Sequence, residues 1–186
     1  MPQRHRLVVA SMLATALAAP AMAAGPITRD DVERAQSRWC AGLVTIGAAH
    51  AAGDDAAAAA RAMIAANYAF AADPAAADVL FKPTLAHGAT TFRDDLEGTL
   101  AYFVGGDADY PGDAGFARRP WTTCRHAIAG VVADGDIAVA MGNVWVGDAD
   151  GAETKVDKTF VYRRDAEGTL RIIAHMSALP YAPAAD

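Results

Sequence analysis

Four strand-like runs fill the last third of this 186-residue chain: Trp121 to Ala133, Ile137 to Val146, Ala152 to Arg163 and Thr169 to Ala178. They are joined by Asp134-Gly135, Asp148-Ala149-Asp150-Gly151 and Asp165-Ala166-Glu167-Gly168, which is hairpin-turn chemistry. An antiparallel meander of this kind has a face to bury, and whatever covers it must come from the residues before it.

Those residues read as helices. Thr28 is a natural N-cap, with Asp30 and Asp31 in the first turn, and Val32, Ala35, Trp39, Leu43 and Ile46 follow at helical spacing until about Ala52, before Gly53. Asp54-Asp55 begins a second helix through Ala56–Ala60, Met63, Ile64 and Tyr68, which Asp73-Pro74 should end. Its alanine run reads as helix because Ala is the best helix former. Val79-Leu80-Phe81 is a short apolar run, and Thr90 to Arg93 reads as a short strand. Asp94 to Val104 predicts a third helix, stopped by Gly105-Gly106. The loop from Asp107 to Gly115 carries Asp107, Asp109 and Asp113 without calcium-loop spacing and is expected to be solvated. Helices first and a meander last predict an α+β domain, its helices packed on one face of a curved antiparallel sheet.

The start of the chain is different in kind. Arg4, His5 and Arg6 precede the apolar stretch Leu7 to Ala19 and an A-x-A signal at Ala21-Met22-Ala23. The stretch is shorter than the roughly 20 residues a spanning helix needs, so it reads as a secretory signal peptide over residues 1–23. Residues 24–186 then form a single domain in a periplasmic or secreted protein. Without Arg4 and Arg6 the 16 basic residues become 14 against 22 acidic ones, a net charge near −8. Such a chain repels nucleic acid and anionic membrane, so neither is expected as a partner. Cys40 and Cys124 are either a disulfide or two buried thiols, because sequence does not give their separation.

No Gly-rich phosphate loop, H-E-x-x-H helix or G-x-S-x-G elbow is present. His50 falls near a helix C-terminus, and His50, His87, His126 and His175 are too scattered for a ligand pattern. Asp157 lies mid-strand and reads first as a cross-strand partner for Lys or Arg, second as a buried general base. In the last strand, period two puts Ile173, His175 and Ser177 on one face. An imidazole and a hydroxyl on an apolar strand need partners, so they are either satisfied structural groups or the floor of a pocket. Tyr102 and Thr84 are weaker members of the same hydroxyl and imidazole set.

Five blocks in order resemble one family: Leu80-Phe81-Lys82-Pro83-Thr84, Ala101-Tyr102-Phe103-Val104-Gly105, Gly115-Phe116-Ala117 with Pro120-Trp121, Ala140-Met141-Gly142-Asn143, and His175-Met176-Ser177-Ala178-Leu179-Pro180-Tyr181. Together they are similar to the iota-class carbonic anhydrases, small proteins on the cone-shaped nuclear-transport-factor-2-like fold, related to the association domain of calcium/calmodulin-dependent kinase. The resemblance implies reversible hydration of CO2 to bicarbonate, with Thr84, Tyr102, His175 and Ser177 as the catalytic set converging on one pocket. It also implies a reaction without a metal, zinc or manganese being the alternative, and His175 as proton acceptor. Where the family often has His and Ser, this chain has Met176 and Ala178, both of which period two turns away from His175. The competing readings are a small-molecule-binding or oligomerisation module and a cyclase or isomerase, the last needing a buried acid such as Asp157 in the pocket. Apolar residues on both sides of Ile137 to Val146 predict a homodimer through the sheet.

Overall fold

Thr28 opens the first helix with a reciprocal cap. The Asp31 amide donates to Thr28 Oγ1 (3.2 Å) and the Thr28 amide to Asp31 Oδ2 (2.9 Å), a capping box that satisfies two orphan amides. A computed structural model describes residues 25–70 and 78–183; the expected signal peptide and the expected helix stop at Asp73-Pro74 lie outside the described residues. Helix α1 spans Arg29–Ala52 and ends at Gly53 in the left-handed conformation (φ 76°). Its buried face holds the predicted Val32, Ala35, Trp39, Leu43 and Ile46, with Gln36 and Cys40 beside them. Gly47 completes it, because a Cβ there would come within 3.1 Å of the Trp121 backbone nitrogen. Helix α2, Ala56–Asn67, is capped by Asp55, and α3, Leu96–Val104, by Asp95, two residues past the expected start.

The strands are β1 (Leu80–Lys82), β2 (Trp121–Asp134), β3 (Ile137–Asp148), β4 (Glu153–Arg164) and β5 (Leu170–Ala178), in sheet order β1-β5-β4-β3-β2. The meander is antiparallel throughout, but β1 pairs with β5 in parallel, Phe81 opposite His175, so the sheet is mixed. This pairing joins residues more than ninety positions apart, which no local pattern announces. The expected strand at Thr90 to Arg93 is instead a 3₁₀ turn over Gly88–Thr90 followed by one bridge. There Arg93 and Phe81 exchange two backbone hydrogen bonds of 2.7 and 2.8 Å.

One register shift alters the face assignment in β5. A bulge opposite Val161/Tyr162 lets Tyr162 pair with Ile172 while Val161 pairs with Ala174. Ile172 and His175 are therefore both buried, and Ile173 is displaced from the face it was expected to share with His175. His175 and Ser177 keep their common inward face. Cys40 on α1 and Cys124 on β2 form a disulfide, with Cα atoms 5.3 Å apart, which resolves that choice. Asp113 is not a solvated loop residue: it is buried against Arg93, Nη2 to Oδ2 2.8 Å, and Arg93 stacks over Tyr110 at 4.3 Å. Together they clamp the loop beside α3. Among the described residues no helix is long and apolar enough to cross a membrane.

Candidate active site

The parallel pairing of β1 with β5 builds the site. After Phe81 and Lys82, Pro83 turns the chain so that Thr84 meets Ser177, Oγ1 to Oγ 2.5 Å, with both side chains buried. Lys82 ties the strands together by donating from Nζ to the Ser177 carbonyl at 3.0 Å. Tyr102 arrives from α3, edge-on to Phe81 (5.6 Å) and stacked on Phe116 (5.4 Å). Thr84 and Tyr102 line a cavity of about 670 Å³ with Phe116, Trp121, Arg118 and Leu179. His50, Asp113 and Arg119 also face it; Arg119 is paired with Asp148 at 3.0 Å, whereas Arg118 has no carboxylate partner among the described residues.

The Tyr102 hydroxyl is buried without a hydrogen-bond partner. Burial pushes its pKa up to about 12; Thr84 and the Leu85 amide lie close enough to temper the rise, but neither completes a hydrogen bond. Arg93 Nε and Tyr162 Oη are also unpartnered, yet neither lines this cavity. At neutral pH Tyr102 is therefore a protonated donor with an unused hydrogen, held at the cavity wall.

His175 lies one layer deeper. Its ring is packed against Phe81 (4.6 Å), Phe160 (4.4 Å) and Trp39 (5.6 Å). Both nitrogens are engaged: Nδ1 lies 2.9 Å from Tyr68 Oη and Nε2 3.0 Å from Lys158 Nζ. Trp39 Nε1 donates to Tyr68 Oη at 3.0 Å. His175 and Tyr102 thus sit on the same side of the sheet and flank one Phe81 ring, but no imidazole nitrogen is free to meet a water in the cavity. Burial first, and the Lys158 charge second, hold the His175 pKa well below the ordinary histidine value.

Lys158 and Tyr68 are the residues that sequence reasoning missed. Lys158 follows Asp157 and reads as a surface charge, but it stands two positions from Val156 and from Phe160, both buried. Period two alone puts it inside. It sits over the Trp39 ring at 4.4 Å, and burial pushes its pKa down from 10.5 to about 7. Between those values the unfolded chain binds a proton that the folded chain does not, so stability rises with pH across that window. The penalty is complete below pH 7, vanishes above 10.5, and amounts to roughly 5 kcal/mol at most. Asp157 points the other way, exposed, and accepts from Asn143 Nδ2 at 2.6 Å; its partner is neither Lys nor Arg. Among the described residues no three His, Cys, Asp or Glu side chains come together as a metal site would need.

Three helices on a curved mixed sheet, with a pocket between α3 and the sheet, define a nuclear-transport-factor-2-like domain. A superfamily protein from Salmonella enterica shares the fold at a TM-score of 0.50 and 12% identity, covering 83% of this chain and 92% of its own. The chain belongs to the metal-independent carbonic anhydrase family, whose model matches residues 30–179. A metal-independent carbonic anhydrase of Nostoc sp. (strain PCC 7120 / SAG 25.82 / UTEX 2576) is 43% identical over 157 residues, 83% of this chain and 75% of that protein. The crystal structure of a cyanobacterial iota-carbonic anhydrase complexed with bicarbonate superposes at a TM-score of 0.80 with 41% identity, covering 85% of this chain and 95% of that one. A calcium/calmodulin-dependent kinase II association domain from Xanthomonas campestris, at 18% identity and a TM-score of 0.50, shares the fold alone.

Proposed function

We propose that this carbonic anhydrase hydrates CO2 at the hydroxyl cluster of Thr84, Tyr102 and Ser177, without a metal. The observation that carries the reading is the buried, unpartnered Tyr102 hydroxyl beside the Thr84–Ser177 pair. A CO2 oxygen that gains negative charge as water attacks needs donors already in place, and fixed donors in a dry site do not have to reorganise. Tyr102 supplies one, and the Thr84–Ser177 pair one more, since two hydroxyls that share one hydrogen bond leave a second proton free. Arg118, at the cavity lining, supplies positive charge that would attract a bicarbonate ion. His175 serves this set from behind, holding Tyr68 and Lys158 rather than touching the substrate. A cyclase or isomerase reading has no support, because Asp157 is outside and Asp113, which does line the cavity, is committed to Arg93.

Stopped-flow CO2 hydration by chelator-treated protein tests the reading. Acceleration over buffer that survives chelation is expected. No acceleration overturns the function, and activity that returns only with added zinc or manganese overturns the metal-free site.

A homodimer through the outer sheet face belongs to the same proposal. Val132, Val139, Val161, Ala174 and Leu80 are register partners across all five strands, with Met141 and Met176 beside them, and Val132, Leu80 and Met141 are exposed. An apolar row of this length is what a second copy of the chain would cover. Val139→Glu is expected to halve the mass measured by light scattering at micromolar concentration, and a monomeric unaltered protein would sink the dimer. Export to the periplasm or medium completes the proposal, supported by the A-x-A signal and by a disulfide that an oxidising compartment sustains.

A further inference from the structure

We propose that Lys158 is the interior proton acceptor of this site: an uncharged amine in the resting protein that, working through His175, takes up the proton released as bicarbonate forms. The inference rests on the carbonic anhydrase reading above and extends it to a residue outside the hydroxyl cluster.

The hydrogen-bond chain sets the charge state. An indole N–H only donates, so Trp39 fills an acceptor position on Tyr68 Oη. The Tyr68 proton then points to its other neighbour, His175 Nδ1, 2.9 Å away. A neutral imidazole that accepts at Nδ1 carries its hydrogen on Nε2. That hydrogen faces Lys158 Nζ at 3.0 Å, and only an uncharged amine can accept it. With an ammonium at Lys158 the chain reverses: Nε2 must accept, Nδ1–H must donate to Tyr68, and the Tyr68 hydrogen loses its acceptor.

The surroundings agree. Lys158 is met by His175 from β5 and by the Trp39 face from α1, with Phe160 beside it on its own strand. The other titratable or charged groups of this interior are Tyr68 beyond α2, Tyr102 on α3, Tyr162 on β4 and Lys82 at the Ser177 carbonyl. The buried carboxylate nearest this set, Asp113, bears on Tyr102 and is paired with Arg93, and no salt bridge reaches Lys158 among the described residues. The depressed pKa of about 7 fits this environment. A buried amine without a counter-ion weakens the fold, so its position is better explained by chemistry than by stability.

Position links it to the reaction. Lys158 on β4 is the direct register partner of Ser177 on β5, and side chains so paired start about 5 Å apart. As water attacks CO2, the C–O bond forms and a water O–H bond breaks; the proton is handed inward to the Tyr68–His175–Lys158 chain, where Tyr68 gives its own proton to Nδ1 as it takes up the incoming one, and the Nε2 proton moves to the Lys158 amine. The products are bicarbonate and an ammonium. Loss of that proton to solvent restores the amine. Lys158 never touches CO2; it holds the proton and fixes the His175 tautomer.

The chain contains three lysines, Lys82, Lys155 and Lys158, so ¹³C-lysine labelling of the whole protein gives a readable spectrum. The resonance missing from Lys158→Met should titrate near neutral pH, well below the ordinary lysine value of about 10.4, and His175 ¹⁵N shifts should show the Nε2–H form above that midpoint. CO2 hydration by the unaltered protein should fall on the acid side of the same midpoint. Lys158→Met, which replaces the buried amine with an apolar side chain of similar length and should stay folded by near-ultraviolet circular dichroism, should lose at least tenfold in kcat together with that acid limb. Lys158→Arg, charged at every pH, should be equally impaired. A Lys158 resonance that titrates near the ordinary lysine value of about 10.4, or a Lys158→Met enzyme with unaltered rate and pH profile, overturns the proposal. Absence of hydration by the unaltered protein would overturn the carbonic anhydrase reading instead, with the lysine resonance alone deciding the charge state.

Discussion

Tyr102→Phe should lower kcat/KM for CO2 hydration by about 10²–10³-fold, the usual cost of removing one preorganised donor from a developing oxyanion, and should leave the thermal midpoint unchanged or slightly raised. The two halves of this expectation have one cause. In the unliganded protein the Tyr102 hydroxyl has no partner, so deleting it breaks no hydrogen bond and relieves a desolvation penalty. Its ring contacts with Phe81, Phe103 and Phe116 survive in Phe. Thr84→Ala and Ser177→Ala are less clean, because each strands the other hydroxyl of a buried 2.5 Å pair at a cost of about 1–3 kcal/mol. Stopped-flow rates and a melting curve on the same Tyr102→Phe sample decide the matter. Activity within twofold of the unaltered protein would remove Tyr102 from the site, and a large loss of stability would mean its hydroxyl is structural.

Local chemistry was legible in the sequence and long-range chemistry was not. Thr28, Asp55 and Asp95 cap their helices as short polar side chains do, and the Asp-Gly turns place all four long strands, because each signal acts over a few residues. The parallel pairing of Phe81 with His175 leaves no such trace, yet it is what brings Thr84 to Ser177. The β5 bulge likewise comes from packing against β4, so strict alternation misplaced Ile173 while His175 and Ser177, beyond the bulge, kept their face. The set Thr84, Tyr102, His175 and Ser177 came from block resemblance to a family rather than from spacing. The structure joins Thr84 to Ser177, puts Tyr102 with Thr84 on the cavity wall, and sets His175 behind them. Lys158 went unnoticed for a different reason: a lysine next to an aspartate reads as solvated, and charge outweighed the Val156, Lys158, Phe160 alternation that marks the inner face.

Loss of the Cys40–Cys124 disulfide should be the largest stability change available from two side chains. The bond closes a separation of 84 residues, and the chain-entropy account assigns loops of this size about 4–5 kcal/mol. Against a total of about 5–15 kcal/mol for a whole domain, that leaves the protein folded at room temperature but lowers its thermal midpoint by roughly 8–20 °C. The bond also joins α1 to β2 beside the catalytic interior, since Cys40 directly follows Trp39, whose indole holds Tyr68 and, through it, His175. A loosened α1 would weaken that chain before it unfolded the sheet, so activity should fall at temperatures below the global transition. Melting curves and CO2 hydration rates of the Cys40→Ala/Cys124→Ala protein, beside the unaltered protein with and without reductant, separate these effects. The variant and the reduced protein should agree in both measurements. A midpoint that reductant and substitution leave in place would show that α1 is held to β2 by its apolar stripe alone, with Trp39, Leu43 and Ile46 sufficient to keep Tyr68 and His175 in register.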